Sequence, residues 1–352
     1  MQVLFVTGEY PPDIGGVGDY TARLRAALHE LGIDSEVLSG LHWDARALLA
    51  LLHRAPKTGI VHIQYQPAAF DLLGDVCLMP SLLRLARPAV RVVTTLHDAR
   101  VPYLFPFAGP LRWQAVRLLA ATSHAIIAAD ERDLHAVGRS ELQVPIGSNV
   151  PCSPPVDFDR AAFRARLGLS QDSLLVVFFG LLNASKGLDD LLDGFERVAE
   201  TRPDARMLVL GGEVGTSDVT DRATAAKLLP RLALLGNKLI RPGYLEPCQL
   251  SAYLLAADVA LLPYADGASP RRGSLLACAE HGLPIVSTLP ASSAVGEAVL
   301  AVPPGELAEA VLRISTDAAL RERLRRAARE LAEHSRWRRI AEQHQALYRH
   351  LC

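Results

Sequence analysis

Short runs of consecutive apolar residues, separated by longer segments of helical periodicity, recur from one end of the chain to the other, and nothing else in the sequence constrains the fold as much. QVLFVTG, IVHIQY, VRVVTTLHD, HAIIAAD and QVPIG lack the polar alternation of a strand with one wet face. They are therefore expected as strands buried on both sides. Between such runs lie segments like DYTARLRAALHELG, which opens at an Asp and closes at Gly32, a helix start and stop. Strand, helix, strand in repetition means parallel sheets covered by helices.

The alternation pauses at SNVPCSPPVDFDRAAF, residues 148–163, where prolines with Ser and Asn oppose regular structure. It then restarts with SLLVVFFG, RMLVLGG, NKLIRPGY, VALLPY and LPIVST, and with helical segments such as GLDDLLDGFERVAE and PCQLSAYLLAA between them. The expected architecture is α/β, two doubly wound Rossmann-like domains facing across a cleft. Residues 1–150 form the first, 151–163 the linker and 164–334 the second, and a last helix over 335–352 crosses back to the first after a break near HSRW. In open sheets of this type ligands bind beyond the C-terminal strand ends.

Bulk properties narrow the function. Lys and Arg number 37 against 38 Asp and Glu, so no global field draws the chain to nucleic acid, and any anion site must be local. The five cysteines are scattered, with no CxxC pair, as expected of unpaired thiols in a reducing compartment. The start MQVLFVTGEYPP reads as a first strand and not as a signal peptide. The longest apolar run, SLLVVFFGLL, is too short to span a bilayer. A cytoplasmic location is expected. YLFPFAGPLRWQAVRLLAA, residues 103–121, sets Phe105, Phe107 and Trp113 beside Arg112 and Arg117, a mixture suited to a peripheral membrane contact or to plain core packing.

Four segments carry candidate chemistry. GEYPPDIGGVGDYTARL joins the first strand to the first helix, and Gly15 and Gly16 would let a phosphate or sugar oxygen approach the helix amides; a plain turn is the other reading. TTLHDAR puts His97 and Asp98 at a strand end, where a histidine can hydrogen-bond a sugar hydroxyl or serve structure alone. FFGLLNASKGLDDLL sets Lys186 in a strand-to-helix loop, a place to hold a diphosphate, although a single lysine there also suits solvent. DGASPRRGSLLACAEHG sets Arg271 and Arg272 at a helix entrance with no carboxylate apparent until Glu280 at the far end. Cations there oppose the helix dipole unless an anion sits among the helix amides, the Ser274 hydroxyl and the guanidinium forks.

Taken together these segments resemble a GT-B glycosyltransferase of family 4, a retaining group that uses nucleotide sugars. The resemblance covers almost the whole chain and rests on GEYPPDIGGVGDY, TLHD, PIGSNV, GLLNASKGLDDLL, GYLEPCQLSAYLLAADVALLPY, HGLPIVST and SRWRRIAEQHQALYRHL in that order. It implies that Gly15 and Gly16 approach the donor phosphates and acceptor, that His97 contacts the donor sugar, and that Lys186 binds the diphosphate. The family usually adds an arginine directly after the strand-end glycine. Leu181 stands there, so Arg271 or Arg272 is expected to supply that charge. The family also carries two glutamates around the next helix, one on donor-sugar hydroxyls and one on the ribose. Their positions hold Ser269 and Ala277, and Glu280, one turn beyond Ala277, is the substitute expected to reach the ribose.

The resemblance thus implies transfer of a sugar from a nucleoside-diphosphate sugar to an acceptor hydroxyl with retention, with Lys186, Arg271, Arg272 and the amides of Gly273 and Ser274 on the leaving group. No cofactor is expected, since the nucleotide sugar is a substrate, and no metal, since no Asp-x-Asp pair follows a strand. The acceptor stays open among saccharide, lipid-linked and small-molecule classes. Two alternatives stand beside transfer: a catalytically silent nucleotide-sugar binder that lost its chemistry with the glutamates, and a GT-B sugar-nucleotide epimerase.

Overall fold

The structure is a computed structural model that describes residues 1–12, 16–40, 45–55, 59–70, 75–97, 109–129, 133, 137–139, 141–182, 184–211 and 219–352. The chain divides into two compact units, Met1–Gly147 with Arg336–Cys352, and Ser148–Ser335. The first runs β1 (Val3–Thr7), α1 (Gly16–Glu30), β2 (Ser35–Leu38), α2 (Ala45–Arg54), β3 (Gly59–Tyr65), α3 (Met79–Ala86), β4 (Val90–Leu96), α4 (Gly109–Thr122), β5 (Ala125–Ala128) and β6 (Leu142–Gln143). The second opens with α5 (Arg160–Arg166), β7 (Leu175–Phe179), α6 (Leu188–Thr201), β8 (Arg206–Leu210), α7 (Val219–Leu234) and β9 (Leu239–Ile240). It continues with α8 (Pro247–Ala256), β10 (Val259–Leu262), α9 (Gly273–Glu280), β11 (Ile285–Thr288), β12 (Val299–Val302), α10 (Leu307–Thr316) and α11 (Ala318–His334). The last helix, α12 (Trp337–Leu351), belongs to the first unit.

Each unit is built on one six-stranded sheet, in the orders β2-β1-β3-β4-β5-β6 and β12-β11-β10-β7-β8-β9, and every pairing is parallel. Because successive strand side chains point to opposite faces, β1 feeds two cores at once. Val3 and Phe5 pack with Tyr20, Leu24 and Leu28 of α1 and Ile340 and Tyr348 of α12. Leu4 and Val6 pack with Leu51 of α2, Leu83 of α3 and Leu119 of α4. That two-sided burial is why these strands read as unbroken apolar runs.

α12 is seated in the first unit by specific contacts. The Trp337 ring lies edge-on to Tyr20, with centroids 5.2 Å apart. It covers Gly147 so closely that a Cβ there would overlap the indole, which gives PIGSNV its glycine. Regular structure resumes at Arg160, inside the stretch read as linker, because Asp159 caps α5 by accepting from the Ala162 amide at 2.7 Å.

In the second unit β7 begins the winding. From it the order runs outward through β8 and β9 on one side and through β10, β11 and β12 on the other. The connections after β7 and β10 leave in opposite directions and open a crevice at the C-terminal ends of these neighbouring strands.

Candidate functional site

Lys186 sits at that switch point. β7 ends at Phe179, Gly180 follows with φ +148°, and the loop closes in a 3-10 turn over Ala184–Lys186 before Gly187, φ +58°, leads into α6. A Cβ on Gly187 would overlap the Pro263 carbonyl, and one on Gly180 would stand 3.3 Å from Lys186 Cε. The two glycines thus let the loop press against the neighbouring strand while the lysine stem folds back over the strand end. Lys186 Nζ donates to Ser274 Oγ at 3.2 Å and lies 4.9 Å from the centre of the Tyr264 ring. Ser274 Oγ shares a 2.8 Å hydrogen bond with the Tyr264 hydroxyl. Burial, with the charge of Arg272 adding to it, lowers the Lys186 pKa to about 8.

Arg272 completes the cluster from the β10 side. Its guanidinium lies 4.7 Å from the centre of the same Tyr264 ring, donates from Nη1 to Ser185 Oγ at 3.3 Å, and pairs through Nη2 with Asp266. The loops after β7 and β10 are joined directly, Ala265 N donating to Ser185 O at 3.1 Å. The pairing with Asp266 corrects the expectation that the arginines meet no carboxylate before Glu280. The loop after β10 doubles back through the Gly267 N to Tyr264 O bond of 3.0 Å, and this returns Asp266 to a residue six positions later. Arg271 is half-buried beside it.

Arg272 is also the N-cap of α9, and no side chain caps the helix. The amides of Leu275 and Leu276 return to the Arg272 carbonyl at 2.9 and 3.1 Å, whereas those of Gly273 and Ser274 meet no backbone acceptor among the described residues. A half-buried ammonium, a guanidinium paired with Asp266, and two helix amides with no backbone acceptor among the described residues converge here, which is a place for an anion.

The other positions singled out in the sequence fall elsewhere. Ser269 and Ala277 are each 1% exposed, so they are packed into the interior and leave no opening where the resemblance places carboxylates. Glu280 ends α9, about 9 Å along the helix from Ser274. There burial and the Glu280 charge together raise the Cys152 thiol pKa. Glu280 is therefore at the opposite end of the helix from Lys186. The HGLP turn is structural. Nδ1–H of His281 donates to Ala277 O at 2.7 Å, Nε2 accepts from the Ser251 hydroxyl at 2.9 Å, and Ser251 Oγ accepts from Ser153 N at 3.0 Å. Gly282, φ +62°, then closes α9 with Leu283 N donating to Cys278 O at 3.0 Å.

In the first unit His97 is 8% exposed at the end of β4, its Nε2 hydrogen-bonded to Gln64 Oε1 at 2.8 Å and its ring edge-on to Tyr20. Gly16 starts α1, but the Val17 amide donates to Glu9 Oε1 at 3.2 Å. One of the helix amides expected to be open to a phosphate or sugar oxygen, that of Val17, is thus already met by a carboxylate of the chain. Gly15, Asp98, Phe105 and Phe107 lie outside the described residues, as does the Arg112 side chain. Tyr264, Ser185 and Asp266 were also missed. Their only signal is position, an aromatic at the end of VALLPY and polar residues in the two loops flanking the switch point.

Beside Lys186, a hollow of about 520 Å³ opens at the C-terminal ends of β7, β8 and β9, lined by Phe179, Gly211, Arg241, Tyr244 and Leu245 among others. Tyr244 is 89% exposed, an aromatic face on offer to a planar ligand. Among the described residues no group of three or more His, Cys, Asp or Glu could hold a metal ion, and no helix is long and apolar enough to cross a membrane.

Residues 173–317, which hold this whole arrangement, match the family described as glycosyl transferases group 1. The match covers less than half of the chain, and it is this segment that is similar to that family. A D-inositol 3-phosphate glycosyltransferase of Streptomyces avermitilis is 32% identical over 237 residues, 63% of this chain and 49% of the relative. One of Xylanimonas cellulosilytica is 29% identical over 304 residues, 71% of this chain and 70% of the relative. The chain spans about half the length of the Streptomyces relatives it matches, 49% and 51%. Among solved structures, sucrose-phosphate synthase from Thermosynechococcus elongatus superposes with a TM-score of 0.77 at 19% identity, covering 100% of this chain and 99% of that one. The Anabaena protein HepE in complex with UDP gives 0.76 at 17% identity, covering 99% of each chain. The fold of the chain is therefore GT-B. Its departures from the family pattern are local: Leu181, 40% exposed, in place of the usual arginine, and two buried small residues in place of the glutamates.

Proposed function

We propose that the chain transfers a sugar from a nucleoside-diphosphate sugar to an acceptor hydroxyl with retention of configuration. The observation that carries this reading is the cluster around Tyr264, where Lys186, Arg272 and the Gly273 and Ser274 amides meet at the switch point. As the bond between the anomeric carbon and the diphosphate oxygen breaks, negative charge grows on the leaving oxygen and positive charge on the sugar. Fixed cations and amide dipoles in a dry site stabilise the first without reorganising, typically one of the largest contributions to such a rate. The acceptor oxygen forms its new bond on the face the diphosphate leaves, and the departing phosphate takes the acceptor's proton, so no protein nucleophile is required. The hollow at Tyr244 and Arg241 is assigned to the nucleoside, and His97 to the sugar on the resemblance alone. A GT-B structure bound to UDP and glucose and a relative named as GDP-mannose-dependent support a nucleotide-sugar donor. The acceptor we leave as a hydroxyl compound.

The silent-binder reading is favoured by one observation, the burial of Ser269 and Ala277. A panel of nucleoside-diphosphate sugars incubated with candidate acceptors separates the two. Transfer is expected to appear with at least one donor and to fall by about a hundredfold or more in Lys186→Ala; nucleotide binding without turnover across the panel would establish the silent reading instead.

A further inference from the structure

At the opposite edge of the second sheet, where β7, β8 and β10 begin, a cavity of about 410 Å³ is lined by Arg160, Arg202, Arg321, Arg325, Asp172 and Asp258, with other residues. Four guanidiniums face one cavity, and three are already used in building its wall. Arg160 donates to Asp258 Oδ1 at 2.6 Å. Arg202 pairs with Asp204 at 2.8 Å and donates to Asp172 O at 2.8 Å. Arg321 Nη1 caps the end of α10, donating to Ile314 O at 2.9 Å and Ser315 O at 3.2 Å. Behind them the buried Arg164 takes the second oxygen of Asp258 at 3.0 Å.

Arg325 is different. Its Nε is buried and has no hydrogen-bond partner among the described residues. Burial lowers its pKa, and the charges of Arg160 and Arg321 lower it further against the weaker pull of Glu322 and Asp258. A buried donor left unmade is costly, and a guanidinium held beside two others more so. Five arginines here answer to Asp258, Asp204, Asp172 and the exposed Glu322, so the cluster stays net positive. None of these residues belongs to the cluster at Lys186, which lies beyond the other ends of the same strands, about 15 Å away by strand length.

We propose that this cavity is a second anion site that binds a phosphate group, free or carried on a small sugar, with Arg325 as its central ligand. A tetrahedral dianion accepts forked hydrogen bonds from guanidiniums, satisfies the orphaned Nε and cancels the repulsion among Arg160, Arg321 and Arg325. The cavity also has room for more than the phosphate alone.

Calorimetric titration of the full chain in a phosphate-free buffer tests this, with inorganic phosphate and a hexose 6-phosphate as separate probes. At least one probe is expected to bind at millimolar or lower concentration, and to bind Arg325→Met roughly tenfold or more weakly. Arg325→Gln, which keeps a donor but not the charge, should fall between. The empty Arg325→Met protein should unfold no earlier than the unmodified one, because it sheds an unpaired buried donor. Tighter binding of the hexose phosphate identifies a sugar phosphate as the ligand, and equal binding identifies the phosphate group itself. Absence of binding by either probe, or binding that Arg325→Met retains, would overturn the proposal.

Discussion

At the scale of single residues, the site depends on a lysine held under unfavourable conditions. Lys186 has a folded pKa near 8 against 10.5 for an ordinary lysine, so the unfolded chain binds the proton more tightly. Between these values stability rises with pH, and at pH 7 the empty protein bears the whole penalty, about 3 kcal/mol. Lys186→Met is therefore expected to unfold at higher urea than the unmodified protein at pH 7 while losing nucleotide binding. A lower midpoint would mean that the Ser274 and Tyr264 contacts outweigh the cost of the charge. A bound diphosphate reverses the penalty and raises the pKa, so nucleotide affinity should decline as pH climbs through 8. Leu181→Arg makes the complementary prediction. It adds a guanidinium beside the exposed strand end, and titration should show nucleoside diphosphate binding tighter by roughly tenfold.

At the scale of elements, the joint between α5 and β10 depends on one carboxylate. Asp258 pairs with Arg160 and Arg164 and accepts from the Leu175 amide at 2.8 Å, tying α5, β7 and the start of β10 together. Asp258→Ala leaves the Arg164 guanidinium, 5% exposed, without its carboxylate and should cost about 3 kcal/mol in urea unfolding followed by circular dichroism. Much of this framework was legible in the sequence, because strands buried on both faces leave unbroken apolar runs such as VVFF and VALL. The strands that escaped were β2 and β12, the outermost of their sheets, whose burial falls to half or less along most of their length. Half-exposed positions take polar residues such as Ser35 and Glu36, so the unbroken apolar run is lost in β2. Of the candidate cluster, the cations and the helix entrance at Gly273 and Ser274 were legible. Lys186 and Arg272 stand out as charges at strand and helix ends. Their partners Tyr264, Asp266 and Ser185 are brought in by loop turns whose backbone bonds leave no mark on spacing, and Glu9 meets the start of α1 in the same way.

At the scale of the whole molecule, the return of α12 to the first unit is fastened by a buried histidine network that makes this unit sensitive to acid. His62 Nδ1 meets the Tyr348 hydroxyl at 2.5 Å and its Nε2 meets Thr95 Oγ1 at 2.7 Å, while His344 donates from Nδ1 to Ile340 O at 2.8 Å. Burial lowers the His344 pKa to about 4 and holds His62 well below its usual value, with His344 and His97 adding to the effect. The unfolded chain thus binds these protons first, and stability is complete above about pH 6.5 and is lost as pH falls from there toward 4, by about 3 kcal/mol from His344 alone. All three tryptophans, Trp43, Trp113 and Trp337, lie within the sequence of the first unit, so their fluorescence follows its unfolding by itself. The urea midpoint by fluorescence should fall between pH 7 and pH 5, and His344→Leu should flatten that dependence.

The second unit carries the central claim, that Lys186 and its neighbours hold a diphosphate. Calorimetric titration of UDP and of GDP into the full chain at pH 8, repeated in buffers of different ionisation enthalpy, tests it most directly. The account predicts binding by at least one nucleotide with uptake of a proton by the protein, and weakening of at least tenfold together with loss of that uptake in Lys186→Met. Equal affinity in the variant, or binding with no proton taken up, would contradict it.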